Sequence, residues 1–275
     1  MNQARRLLVV AALWCGISVT HAASGGCGID AQAIIRQAYP TAKATDKGTY
    51  TVSNATITLP AGDDIDSDPH ALTCRNWPAH PGSTLVAVPL MTKAVDGENE
   101  GDLELLVIDS ASQKVQQRLK LPGRMADDAV QIRRVALDTA HYQLAPGQTA
   151  FGLRLSLEGS SRVDPFGEVD LWLYTVDHGK LVPVVDGIVT DRSGGEWDGN
   201  CAGDFDGARR TLAMDRATQN GYADIVVTET ASSSTSTVDK DGQCNEKDHP
   251  VKKRDYRLSY DGKSYPVPKD LKPLQ

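Results

Sequence analysis

Leu171-Trp172-Leu173-Tyr174-Thr175-Val176, followed by Asp177-His178-Gly179 and then Lys180-Leu181-Val182-Pro183-Val184-Val185, is the most informative stretch of this chain. The first six residues show no polar alternation, and the run is too short for a helix. It reads as a strand buried on both faces, with Trp172 and Tyr174 opposite Leu171 and Leu173. Asp177-His178-Gly179 turns the chain back into a second strand over 180–185. Pro183 has no amide hydrogen to give a ladder, so this strand is expected to lie at an edge or to bulge there. Immediately upstream, Phe151, Leu153, Leu155 and Leu157 alternate with Gly152, Arg154, Ser156 and Glu158, the pattern of a strand wet on one face. Downstream, residues 193–207 are dense in glycine, carboxylates and Cys201, and read as a loop.

Working outward, the same grammar recurs. Strands are expected over 49–59 and 83–90, and over 103–109 and 114–121 as a hairpin across Ser110-Ala111-Ser112-Gln113. At the far end, Asp261-Gly262 reads as a two-residue turn pairing Leu258 with Tyr265 and Tyr256 with Val267. The Ser/Thr run at 232–237 reads as a solvated strand or exposed tip. Only residues 29–38 carry helical periodicity, and Pro40 stops it. The chain is therefore mainly β, with propeller-like or sandwich-like antiparallel sheets and one short N-terminal helix.

Arg5 and Arg6, the apolar run from Leu7 to Val19 and the small residues Ala22 and Ala23 follow the order of a secretory signal. That run falls short of the roughly 20 apolar residues a spanning helix needs. Residues 1–22 are thus assigned as a signal peptide and 23–275 as a single mainly-β domain, periplasmic or secreted, with no membrane span. The whole chain has 29 basic and 36 acidic residues, a net charge of −7. An acidic surface repels phosphate backbones, which argues against nucleic acid and leaves basic proteins as partners. Cys27, Cys74, Cys201 and Cys244 remain after the signal, an even number that reads as two disulfides in an oxidising compartment. The preferred pairing is Cys27 with Cys74 and Cys201 with Cys244.

Gly101-Asp102-Leu103-Glu104, Gly167-Glu168-Val169-Asp170 and Gly221-Tyr222-Ala223-Asp224 each stand before an apolar run. Each reads as a turn leading into a strand. This grammar resembles the FG-GAP and VCBS type of β repeat. The resemblance implies calcium at alternate-position oxygens followed by a glycine and a final carboxylate. On that pattern the ligands are Asp96, Glu98, Glu100 and Glu104 around Gly101, and Asp198, Asn200 and Asp206 around Gly203. Asp64, Asp66 and Asp68 show the triplet without the glycine. Calcium takes six to eight hard oxygens, and side chains two apart in a tight turn can supply them.

No histidine pair, nucleophile elbow, phosphate loop or dinucleotide motif is present. Glu196 and Asp198, flanking Trp197, are the one carboxylate pair considered for chemistry, since two carboxyls flanking a sugar bond would serve an envelope glycan hydrolase. The favoured expectation is a non-catalytic, envelope-associated binding protein, of the inhibitor or immunity type, for a basic partner. Trp77 and Trp197 are its candidate exposed anchors. A calcium-stabilised structural β module is the third alternative.

Overall fold

A computed structural model describes residues 31–61, 68–95 and 97–274. The signal assignment, Cys27, Asp64, Asp66 and Asp96 lie outside the described residues. The chain runs through helix α1 (Ala31–Ala38) and strands β1 (Lys43–Ala44), β2 (Thr49–Val52), β3 (Ala55–Thr58), β4 (Thr73–Asn76), β5 (Ser83–Val95), β6 (Glu98–Asp109) and β7 (Val115–Leu121). Then follow β8 (Val130–Ala145), β9 (Gln148–Gly159), β10 (Phe166–Asp177), β11 (Lys180–Trp197), β12 (Gly203–Gln219), β13 (Tyr222–Val238), β14 (Cys244–Asp248), β15 (Lys252–Leu258) and a 3-10 turn at Lys269–Leu271.

The first seven strands form one antiparallel sheet in the order β1-β2-β3-β5-β6-β7, with β4 also on β5. The other eight form a second sheet in the order β14-β13-β12-β11-β10-β9-β8, with β15 also on β13. β12 and β13 come back close to β8, so the second sheet curls without closing into a barrel.

Strand parity explains why the sheets stack. On β5 and β6, Leu85, Ala87, Leu103, Leu105 and Val107 face Phe151, Leu153, Leu155, Trp172 and Tyr174 of the second sheet. The alternate positions Val86, Val88, Leu90, Leu106 and Ile108 hold the apolar face of α1 through Ile34, Ile35 and Ala38. On the far face of the second sheet, Leu171 and Leu173 join Leu144, Val185, Ile225, Val227, Tyr265 and Leu271 in a third core. β10 is therefore buried on both faces, with Trp172 and Tyr174 opposite Leu171 and Leu173 as expected. Its turn into β11 has His178 at φ 47° and Gly179 at φ 74°, the left-handed pair that suits a two-residue hairpin. Pro183 sits where β11 has β10 but not β12 beside it, next to a register shift.

Three local expectations are corrected. Residues 193–207 are largely strand. β11 continues to Trp197 and β12 starts at Gly203, and the Phe205 ring lies over the glycines, within 2.6 Å of where a Gly195 Cβ would stand. An aromatic covering paired glycines supplies the packing they lack. Gly101 and Gly167 lie inside β6 and β10, so only Gly221 of the three recurring glycines is in a turn. The Asp261-Gly262 turn forms, with Asp261 Oδ1 accepting from the amides of Lys263 and Ser264, yet no hairpin follows. β15 instead pairs with β13 from Ile225↔Leu258 to Ala231↔Lys252, and the Tyr265 amide donates to Val184 O at 2.8 Å. The open edge of a long strand offers more ladder bonds than a short hairpin does.

Cys201 and Cys244 form a disulfide with Cα atoms 5.6 Å apart, tying the β11–β12 loop to the start of β14. Cys74 is also disulfide-bonded.

Candidate functional site

A cleft of about 550 Å³ opens between the two sheets. β6 contributes Glu98 and Glu100, the β7–β8 connection Asp127 and Asp128, and β10 contributes Glu168, so five carboxylates line it and, among the described residues, no lysine or arginine does. Leu157, Phe166 and Val130 supply apolar wall. The carboxylates differ in what they already hold. Lys93 reaches Glu98 at 2.7 Å. Asp127 accepts from Asn99 Nδ2 at 2.6 Å and from the Ile132 amide at 2.8 Å, fixing the rim. Glu100 and Asp128 are exposed and have no ion pair among the described residues.

Deeper in, Glu168 and Asp170 stand two residues apart on β10, on the same face as Trp172 and Tyr174. Both residues are 3% exposed. Arg192 Nε donates to Glu168 at 2.6 Å. Burial, followed by the charge of Glu168, pushes the Asp170 carboxyl up to about 8. That shift favours the protonated acid, and Asp170 Oδ1 is buried without a hydrogen-bond partner among the described residues. A second chamber of about 400 Å³ contains Asp170, Asp186 and Trp172, with the Arg124 guanidinium 4.2 Å over the Trp172 ring. The two spaces share Ala126, Leu157 and Leu274.

The remaining candidates are placed as follows. Glu104 is buried toward the helix, where Arg118 donates to both its oxygens at 2.8 Å and the Tyr39 hydroxyl donates to it at 2.5 Å. Asp198 Oδ1 accepts from the amides of Asn200 and Cys201, each at 2.8 Å, and these bonds hold its carboxyl below the usual range. Asp206 is exposed on β12 opposite Gly194, and Glu196 is exposed on β11 opposite Asp204. Among the described residues, no three His, Cys, Asp or Glu side chains group to hold a metal ion. Trp197 is half-buried. Trp77, expected as an exposed anchor, is 3% exposed and packs edge-on to Phe151 at 5.2 Å, because its position continues the inter-sheet core.

Sequence reasoning singled out the rim through Glu98 and Glu100 but missed Glu168 and Asp170 as a buried pair. The signal was there: the two acids are in phase with Trp172 and Tyr174, and so share the buried face of a strand. Reading them as part of a turn hid it. Comparison of the chain with known protein families, with characterised proteins and with solved structures finds no match.

Proposed function

We propose that the protein is an exported, non-catalytic binding protein whose inter-sheet cleft receives basic side chains of a partner protein. The observation that carries this reading is the cleft itself, with five carboxylates, no lining cation among the described residues, and an apolar wall beside them. Four of the carboxylates are spread around the rim, with Glu168 deeper and held by Arg192, which suits several basic groups on an extended segment better than a single ion. Phe166 and Leu157 offer surface for the aliphatic stems of lysine or arginine. The net charge of −7 adds long-range attraction that speeds encounter with a cationic partner. A disulfide at Cys201–Cys244 is compatible with an oxidising compartment.

The test is binding of a fluorescent oligolysine peptide, followed by anisotropy at low and moderate salt. A Glu100→Gln/Asp128→Asn variant removes two unpaired rim charges. A Glu246→Gln/Asp248→Asn variant removes the same charge from β14. Loss of affinity in the first and not the second supports the cleft, and equal loss in both means that only net charge attracts the peptide.

A further inference from the structure

We propose that the cleft recognises an extended segment in which a lysine precedes apolar residues, and that Lys272-Pro273-Leu274 of this chain occupies part of it in cis until a partner segment of the same chemistry displaces it. This rests on the reading of the cleft as the partner-binding site.

The path of the C-terminal segment motivates the proposal. Up to Leu271 it is firmly anchored. The Tyr265 hydroxyl donates to Ala223 O at 2.7 Å, and Leu271 is fully buried in the core behind β10. The next residues cross to the opposite face of the sheet at Gly187, a position with φ +77° where a Cβ would stand 3.0 Å from Pro273 Cγ and 3.1 Å from Trp172 Nε1. A side chain there would crowd both Pro273 and Trp172, so the glycine gives the segment room beside Trp172. It then lies along the cleft, with the Leu274 amide donating to Glu168 Oε1 at 3.2 Å.

The seat is poorly matched beyond that point. The Leu274 side chain is 67% exposed, so its apolar surface gains little from docking. Lys272 is exposed at the edge of the chamber that holds Asp170 and Asp186. Asp170, itself 3% exposed, lines that chamber, and its buried Oδ1 has no hydrogen-bond partner among the described residues. A buried acceptor left unpaired is unfavourable, and the cis segment, though it lies beside this chamber, does not relieve it. The segment thus has the chemistry of the proposed ligand, a lysine beside apolar residues and a backbone amide on Glu168, in a form weak enough to be displaced.

The test uses two variants, a chain ending at Lys272 and the full chain with Leu274→Glu, which adds a carboxylate to the acidic cleft that Leu274 lines. Leu274 is exposed, so the second variant keeps the test alive if the shorter chain does not fold. The probe is a fluorescent peptide with the sequence of residues 269–274, Lys-Asp-Leu-Lys-Pro-Leu. Cis occupancy lowers apparent affinity by the fraction of open cleft, so both variants are expected to bind the probe about tenfold more tightly than the full chain. Adding Glu168→Gln to either is expected to reverse the gain. Equal affinity in the full chain and both variants overturns the proposal, as does a full chain that dimerises through this segment. Oligolysine binding that depends on Glu100 and Asp128 but does not change when the segment is removed leaves the acidic cleft standing and removes the cis occupant. Probe binding to the open variants with no oligolysine binding to any chain does the opposite.

Discussion

Asp170 stands two residues after Glu168 on the same buried face of β10, where burial and then the neighbouring Glu168 raise its carboxyl. Desolvation favours the neutral form of Asp170, and the charge on Glu168 favours it further. Arg192 is committed to Glu168, so the ionised pair has one nearby cation in direct contact.

The pair makes stability depend on pH in a defined direction. The folded-state value for Asp170, about 8, lies above that of an unfolded aspartate, so between roughly pH 4 and 8 the folded chain binds the extra proton. Stability from this group is complete below the unfolded value and is lost as pH rises through 8. Asp170→Asn mimics the protonated acid and should flatten that loss. Its melting temperature should exceed that of the parent at pH 9 and differ little at pH 4, the gain at high pH being on the order of a few kcal/mol. Parallel melting curves across pH 4–9 would show that Asp170 does not hold this proton.

Glu104 behaves in the opposite sense. Burial alone would raise its carboxyl, but hydrogen bonds from Arg118 and Tyr39 outweigh burial and hold it below the usual range. Its stability is present above the unfolded value and falls away in acid as the folded carboxylate takes up a proton. Arg118→Met leaves a carboxylate that is 6% exposed facing the helix, with the Tyr39 hydroxyl as its remaining side-chain hydrogen-bond donor among the described residues. The Arg118 side chain is 45% exposed, so water screens part of the pairing, and about 2 kcal/mol of destabilisation is expected by urea unfolding at pH 7. The deficit should shrink below pH 4. A cost that stays constant with pH would mean that packing of the arginine stem, not its charge, is what is lost.

What could be read in advance was whatever short-range pattern decides. The apolar run at Leu171, the alternation from Phe151 and the left-handed turn at Gly179 each follow from the period of a strand and the tolerance of glycine. What could not be read was competition between distant partners. The residues after Asp261 had a good turn and a plausible hairpin, yet the edge of β13 took the preceding strand, and Val184 took Tyr265. The cleft was half visible for the same reason. Glu98 and Glu100 announce themselves as a local acidic run. Glu168 joins them only because two sheets, far apart along the chain, stack with β6 and β10 at the same opening.

The Cys201–Cys244 bridge closes a sequence separation of 43 residues around β12 and β13. In the chain-entropy view such a loop is worth about 4 kcal/mol at most. β14 is exposed along its whole length and, among the described residues, pairs only with β13, so little else there retains it. Cys201→Ser/Cys244→Ser should therefore lower the melting temperature and release β14 first. Hydrogen exchange is the measurement, with amides of β14 and residues 231–238 exchanging faster while those of β10 remain protected. Uniform loss of protection through both sheets would show that the bridge supports the whole fold.

Gly187 and Gly179 offer a controlled comparison, because both hold φ near +75° and differ in what surrounds them. Gly179 has nothing within 4 Å of a built Cβ, whereas Gly187 has Pro273 and Trp172 at 3.0–3.1 Å. Gly179→Ala therefore costs only the backbone strain of an L-residue in the left-handed region, about 1 kcal/mol. Gly187→Ala adds tight contacts with Pro273 and with Trp172, and Trp172, 5% exposed in the core, has little room to give. The cheapest response is for Pro273 and Leu274 to lift away, which forfeits the Leu274 amide bond to Glu168. We expect Gly187→Ala to cost about 2–3 kcal/mol and Gly179→Ala about half of that or less. The carboxypeptidase-sensitive end of the chain should lengthen in the first variant alone. Equal costs, with unchanged digestion in both, would mean that the segment after Leu271 does not rest on β11.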